Sequence, residues 1–221
     1  MPDGRNIGEE FYSAYAAGAL DPALTLLIET QAAIREDVRR LLHVSDSIAG
    51  AFLERETPAV MSDNALQKAL LELDLLQENG AKPIAAAEIA GSILDELILL
   101  PEPLQEKALI AAGNSGWKFG GPGLKLMQID VASEAKVELL RIEPGHGAPR
   151  HTHEGTEYTL VVSGGFTDEN GSYGPGEVSI VDSSHTHQPI ADPGEICYAL
   201  AVTDGNLKFT GWLGALQKLF G

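Results

Sequence analysis

The tightest constraint on this chain is a set of donor side chains in its second half: His151, His153 and Glu157, with His185 and His187 further on. His151 and His153 are two residues apart, so on a β-strand both side chains emerge on one face. Glu157 follows His153 at an even offset of four and shares that face if the strand continues. Neutral imidazoles and a carboxylate converging from strands suit a divalent first-row metal. His187, on a later strand, supplies a fourth donor. His185 would share its strand face and is its rival. His146 sits in a Pro-Gly-His-Gly turn and reads as a loop residue near the mouth of the site, and His43 as a helix-surface residue.

The chain around this cluster has strand grammar. After Gly123, short apolar or alternating runs recur between turn signals: Leu124–Asp130, Lys136–Ile142, Glu157–Val162, Gly176–Val181 and Ile196–Thr203. Pro144-Gly145, Gly164-Gly165, Asn170-Gly171 and Pro193-Gly194 separate them, as expected of an antiparallel sandwich or barrel. The first hundred residues instead speak in helical period. Asp21-Pro22 is a start signal, with Leu24, Leu27 and Ile28 and then Ile34, Val38, Leu41 and Leu42 continuing the 3/4 spacing. Thr57-Pro58 breaks the pattern. Ser62 is placed to cap another helix, with Leu66, Leu70 and Leu73 as its stripe and Gly80 as its C-cap. Residues 78–123, rich in glycine and proline, form the seam, and Ile93–Leu100 suits a short helix. The expected organisation is α+β in two domains: an all-α helical bundle over residues 1–95, a linker with a short helix over 96–114, and an all-β domain over 115–221.

Composition narrows the function. Of 221 residues, 32 are acidic and 15 basic, for a formal net charge of −17. Residues 1–100 carry 17 acidic and 7 basic side chains, a net of −10. Such a surface repels phosphate backbones and anionic lipid, which argues against direct nucleic-acid or membrane binding. Cys197 is the only cysteine, so neither an internal disulfide framework nor a thiolate-rich metal site can form. No apolar run approaches the roughly 20 residues that span a bilayer, and MPDGRNIGEEFY lacks a signal-peptide core. The expected location is the cytoplasm.

The spacing Gly145-x5-His151-x-His153-x3-Glu157-x6-Gly164 satisfies the first cupin motif at every defined position. The second motif is partial: Gly176 and His187 are in register, but Asp182, Ser184 and Ala191 stand where proline, glycine and asparagine are usual. The β half therefore resembles a cupin, which implies a conical barrel or jelly roll holding one metal through His151, His153, Glu157 and His187.

Ala14-Tyr15-Ala16-Ala17-Gly18-Ala19-Leu20 resembles the opening stretch of the ChrR-type anti-sigma factors, which join a helical anti-sigma domain to a cupin-like domain. Glu157–Val162, Gly164–Glu169 and Ala201–Asp204 are similar to later stretches of that family. The resemblance implies an extracytoplasmic-function sigma factor as partner, bound by the helices, with the cupin domain as sensor in a stress response. It also implies zinc in the barrel, although manganese, iron or nickel suit the same donors. A homodimer is left open. One departure stands out. The family's helical zinc ligands fall on Asn6, Gln31, Arg35 and Val38, none of them a zinc donor, so this half is expected to fold on apolar packing by Leu27, Ile34, Val38 and Leu41. Of the family's barrel cysteine pair, Cys197 is present and Ala199 takes the second place. The competing reading is a metal-dependent cupin enzyme, such as a dioxygenase, with a helical accessory domain. Regulation is placed ahead of catalysis, and no catalytic residue is assigned.

Overall fold

A computed structural model describes residues 7–80, 91–204 and 207–209. Six helices precede the strands: α1 (Glu9–Ala16), α2 (Pro22–Ile34), α3 (Glu36–Leu53), α4 (Ala65–Gly80), α5 (Gly91–Leu97) and α6 (Leu104–Asn114). Eleven strands follow among the described residues: β1 (Lys118–Gly121), β2 (Leu124–Gln128), β3 (Lys136–Ile142), β4 (His151–His153), β5 (Glu157–Ser163), β6 (Phe166–Asp168), β7 (Gly171–Tyr173), β8 (Val178–Val181), β9 (Ile190–Ala191), β10 (Cys197–Thr203) and β11 (Leu207–Phe209). The chain is thus helical in its N-terminal part and antiparallel β in its C-terminal part. Residues 96–114, expected to be a linker with a short helix, hold the end of α5 and all of α6.

Local chemistry accounts for the best-placed boundaries. Asp21 caps α2 by accepting the amide of Ala23 at 2.8 Å, and Pro22 occupies the first turn, where no amide hydrogen is needed. The helix expected from Ser62 begins later, at Ala65. The Ser62 carbonyl accepts the Ala65 amide and the Asn64 carbonyl accepts that of Lys68, so Asn64 holds the cap position.

The strands form a six-stranded sheet in the order β1-β2-β3-β10-β5-β8, a three-stranded sheet β7-β6-β9 and a two-stranded ribbon β11-β4. Period-2 alternation divides the large sheet into two working faces. On its outer face Val137, Leu139, Leu160, Leu200 and Val202 share one continuous core with Leu27, Ile28 and Val38 of α2 and α3 and with Leu97 and Leu104 near α5 and α6. On its inner face Leu124, Ile142, Val161 and Ala199 pack with Phe166 and Tyr173 of the smaller sheet. Strand β10 is covered on both sides, which is why CYALAVT reads as an unbroken apolar run. Tyr158 faces away from Glu157, and its ring meets that of Phe11 edge-on at 5.7 Å.

Two junctions tie helices to sheet. Gln31 is fully buried; its Nε2 donates to the carbonyl of Gly176 at 3.0 Å, and its Oε1 accepts from Tyr12 Oη. Gly176 has φ +81°, and a β-carbon there would collide with the stem of Arg35. On the other side, Glu96 of α5 receives both Arg141 Nε at 3.0 Å and Tyr198 Oη at 2.6 Å. The two ion-pair partners are partly buried, and Arg141 and Tyr198 hold the Glu96 carboxyl below the usual carboxylate range although burial opposes this.

One expectation about the helical half, the packing of Leu41, needs correction. Leu66, Leu70 and Leu73 form the apolar stripe of α4, and all three are more than half exposed. Leu41, expected in the apolar packing, is also exposed, whereas Leu27 and Val38 are buried and Ile34 partly so. At the positions where the family's helical zinc ligands fall, the described side chains are engaged elsewhere. Gln31 is engaged with Gly176 and Tyr12, Arg35 pairs with Asp37, and Val38 is buried apolar. Asn6 lies outside the described residues.

Candidate metal centre

Strand β4 presents His151 and His153 from one face, as their spacing demands. The strand does not run on to Glu157. The chain turns through Glu154-Gly155-Thr156, and Glu157 opens β5 on the large sheet. The two elements nevertheless meet. His187 arrives from the segment before β9, paired directly with His151: each amide donates to the other's carbonyl at 3.0 Å. One ligand atom from each of His151, His153, Glu157 and His187 lies within 4.8 Å of the others. All four residues are buried.

Hydrogen bonds behind the rings determine which nitrogens face the centre. His151 Nδ1 donates to the carbonyl of Pro149 at 2.7 Å, and His187 Nδ1 to Asp168 Oδ2 at 3.0 Å. Each of these two rings therefore carries its proton on Nδ1 and turns an Nε2 acceptor toward the other at 3.1 Å. His153 Nε2 also lies 3.1 Å from His187 Nε2, while its Nδ1 is buried without a hydrogen-bond partner, 3.8 Å from Glu157 Oε2. Ring nitrogens converging at 3.1 Å, with His153 Nδ1 orphaned and a carboxylate beside them, fit a cation. Burial lowers the pKa of His151, and burial together with His187 lowers that of His153 to about 4, so both imidazoles stay neutral as coordination requires. Glu157 is steadied by Thr159 Oγ1, donating to Oε1 at 2.9 Å, and by Thr203 Oγ1, 3.4 Å from Oε2.

Asp168 is the residue that sequence reasoning did not assign. Its side chain is fully buried behind His187 and also accepts the amides of Asn170 and Gly171. Burial would raise its pKa, but the His187 and amide hydrogen bonds hold it below the usual carboxylate range. Only the turn signal Asn170-Gly171 pointed to it, by marking the hairpin that its side chain caps. A carboxylate that orients a ligating imidazole contributes heavily to affinity. Asp168→Ala is expected to weaken metal binding by roughly 10- to 100-fold, measured by competition with a chelator; unchanged affinity would remove Asp168 from the centre.

The remaining histidines stay outside. His185, the rival to His187, is exposed in a turn, its Nδ1 held by Asp182 Oδ1 at 2.9 Å. Residues 183–186 are not strand, so the alternation that placed His185 beside His187 does not apply. Asp182 also accepts the amide and hydroxyl of Ser184, giving a hydrogen-bonded turn where the second cupin motif has proline and glycine. His146 is exposed in its turn, and His43 is exposed on α3. The Cys197 thiol is buried and pushed up to about 12 by that burial, so it is a poor nucleophile.

Fold and site together define a class: a cupin-like β-domain with a three-histidine, one-glutamate donor set, attached to N-terminal helices. Residues 105–206 match the family described as the ChrR cupin-like domain. Over 215 residues the chain is 29% identical to the anti-sigma-E factor ChrR of Cereibacter sphaeroides, covering 97% of this chain and 96% of the relative. The structure is similar to that in the crystal structure of Rhodobacter sphaeroides SigE in complex with the anti-sigma ChrR, with a TM-score of 0.70 and 28% identity over 90% of this chain and 98% of the other. Over nearly its whole length the chain is similar to ChrR-type proteins.

Proposed function

We propose that this protein is an anti-sigma factor, a negative regulator that binds an extracytoplasmic-function sigma factor through its helices and carries a metal-dependent sensor in its cupin-like domain. The observation that carries the reading is the likeness, over nearly the whole length, to a ChrR chain solved with its sigma factor. The helical surface supports it. Val44, Ile48, Phe52 and Leu53 of α3, and Leu66, Leu70, Leu71 and Leu73 of α4, are each more than half exposed, an apolar surface of the kind that partners cover. A net charge of −10 over residues 1–100 would speed encounter with basic sigma surfaces. In this reading residues 1–95 supply the partner contact, 96–114 join the parts, and 115–221 form the sensor, whose three sheets are the walls of one jelly-roll barrel.

His151, His153, Glu157 and His187 would hold one divalent ion, zinc by resemblance. Such an ion supplies a Lewis acid. The chain's own part is to keep the imidazoles neutral, orient His187 through Asp168 and exclude bulk water. The cellular location that follows is the cytoplasm, where sigma factors act; among the described residues no helix is long and apolar enough to cross a membrane. A specific observation favours a second reading, a metal-dependent cupin enzyme: an apolar cavity adjoins the cluster.

The deciding experiment is a pull-down of the full chain with a sigma factor encoded beside it. Phe52→Glu with Leu70→Glu should weaken binding by about 2 kcal/mol or more, roughly 30-fold, with helicity unchanged because both positions are exposed. Undiminished binding by that variant would remove this surface from the interface, and no binding by the wild type would favour the enzyme.

A further inference from the structure

The inner face of the large sheet is graded from polar to apolar. Register places Lys136, Thr203 and Glu157 in one row across β3, β10 and β5, and Glu138, Ala201 and Thr159 in the next. Beyond them come Leu126, Leu140 and Ala199, and then Leu124 with Ile142. A cavity of about 110 Å³ lies against these rows, closed further by Phe166, and the His151, Glu157 and His187 side chains form part of its wall. It exists because Ala199 and Ala201 on the central strand end at their β-carbons.

Charge selects what could enter. Lys136 Nζ and Glu138 Oε2 neutralise each other at 2.8 Å, so Glu157 leaves the lining at −1. A divalent ion held by the three imidazoles and Glu157 turns the same walls to +1. Asp168, on the far side of His187, is compensated by three N–H donors. Net charge in apolar surroundings is costly until paired.

We infer that the cavity binds a compact monoanion with an apolar body, such as a small aromatic or branched carboxylate. Its oxygens lie at the histidine end, and its body lies against Leu140, Ile142 and Phe166. The inference rests on the reading that these four residues hold a divalent ion, and it makes the sensor's ligand an amphiphilic anion whose binding requires that ion.

Isothermal titration of the zinc-loaded full chain with benzoate, and with benzylamine as a cation of the same shape, tests it. Zinc content is measured first on each sample. Benzoate should bind at least about tenfold more tightly to loaded than to stripped protein, and benzylamine should give no heat with the loaded form. Ala201→Val should weaken benzoate by about tenfold and Ala199→Leu should abolish it, each with one zinc retained. One zinc in the wild type with no benzoate binding overturns the inference and leaves the metal site standing, whereas no zinc in the wild type overturns the site reading and the ligand with it. Benzoate binding that is equal in stripped protein, equal for benzylamine or unchanged in both alanine variants also overturns it. Should both variants lose zinc, the loaded-against-stripped and benzoate-against-benzylamine comparisons in the wild type still decide.

Discussion

Leu27→Asp is expected to unfold the helices and strip them from the sheet in one transition. Leu27 is fully buried in a core that α2 shares with Leu160, Leu200 and Val202. Fully burying a leucine stabilises by about 1.5–3 kcal/mol. The substitution forfeits that and buries an unpaired carboxylate, so the total loss should be of order 4 kcal/mol or more. Urea denaturation in a Trp212→Phe background, followed by circular dichroism at 222 nm and by Trp117 fluorescence, checks it, because Trp117 packs at the helix–sheet junction against Tyr198. Both signals should shift to lower denaturant together, and sigma binding should be lost with them. A helical signal that melts early while the tryptophan signal holds its wild-type midpoint would mean that the two parts do not depend on each other. Gln31→Leu is a finer probe of the same junction. It leaves the Gly176 carbonyl and the Tyr12 hydroxyl without the hydrogen bonds that Gln31 provides, a loss of roughly 1–3 kcal/mol.

The second large effect concerns the metal. His151→Ala with His153→Ala should take bound metal from one ion per chain to none, measured by atomic emission on dialysed protein. Two of four donors are gone, and His187 Nε2 then faces an emptied space in place of two ring nitrogens 3.1 Å away. The large sheet should persist, because its outer core contains neither histidine. Partner binding should persist too, since the exposed apolar side chains of α3 and α4 belong to other elements. A double variant that keeps stoichiometric metal would sink the assignment; one that loses metal and partner together would place the cupin-like domain in the interface itself.

Much of the centre was legible because its information is local. A two-residue interval on a strand determines a shared face, so His151 and His153 needed no tertiary knowledge. The runs 136–142 and 196–203 reappear as β3 and β10 nearly to the residue, since alternation and bounding turns are properties of short segments. Asp21-Pro22 likewise starts α2 where hydrogen-bond chemistry says it must.

What sequence could not settle was every question of which surfaces meet. Leu66, Leu70 and Leu73 carry the same 3/4 spacing as Leu27 and Val38, yet α4 exposes its stripe and α2 buries its own. Periodicity shows that a face is apolar and not what covers it. His185 and His187 looked equivalent on a presumed strand. The choice was made by a turn closed on Asp182 and by a pairing between His187 and His151, 36 residues apart. Asp168 entered the centre only when β6 folded beside His187, and Gln31 became a helix–sheet tie by reaching Gly176, 145 residues away. The sequence by itself determined the elements and the donor types, because those depend on neighbours along the chain. Tertiary structure decided which donors converge, how each imidazole is oriented and which apolar faces remain uncovered, because those depend on contacts whose partners lie far apart in sequence.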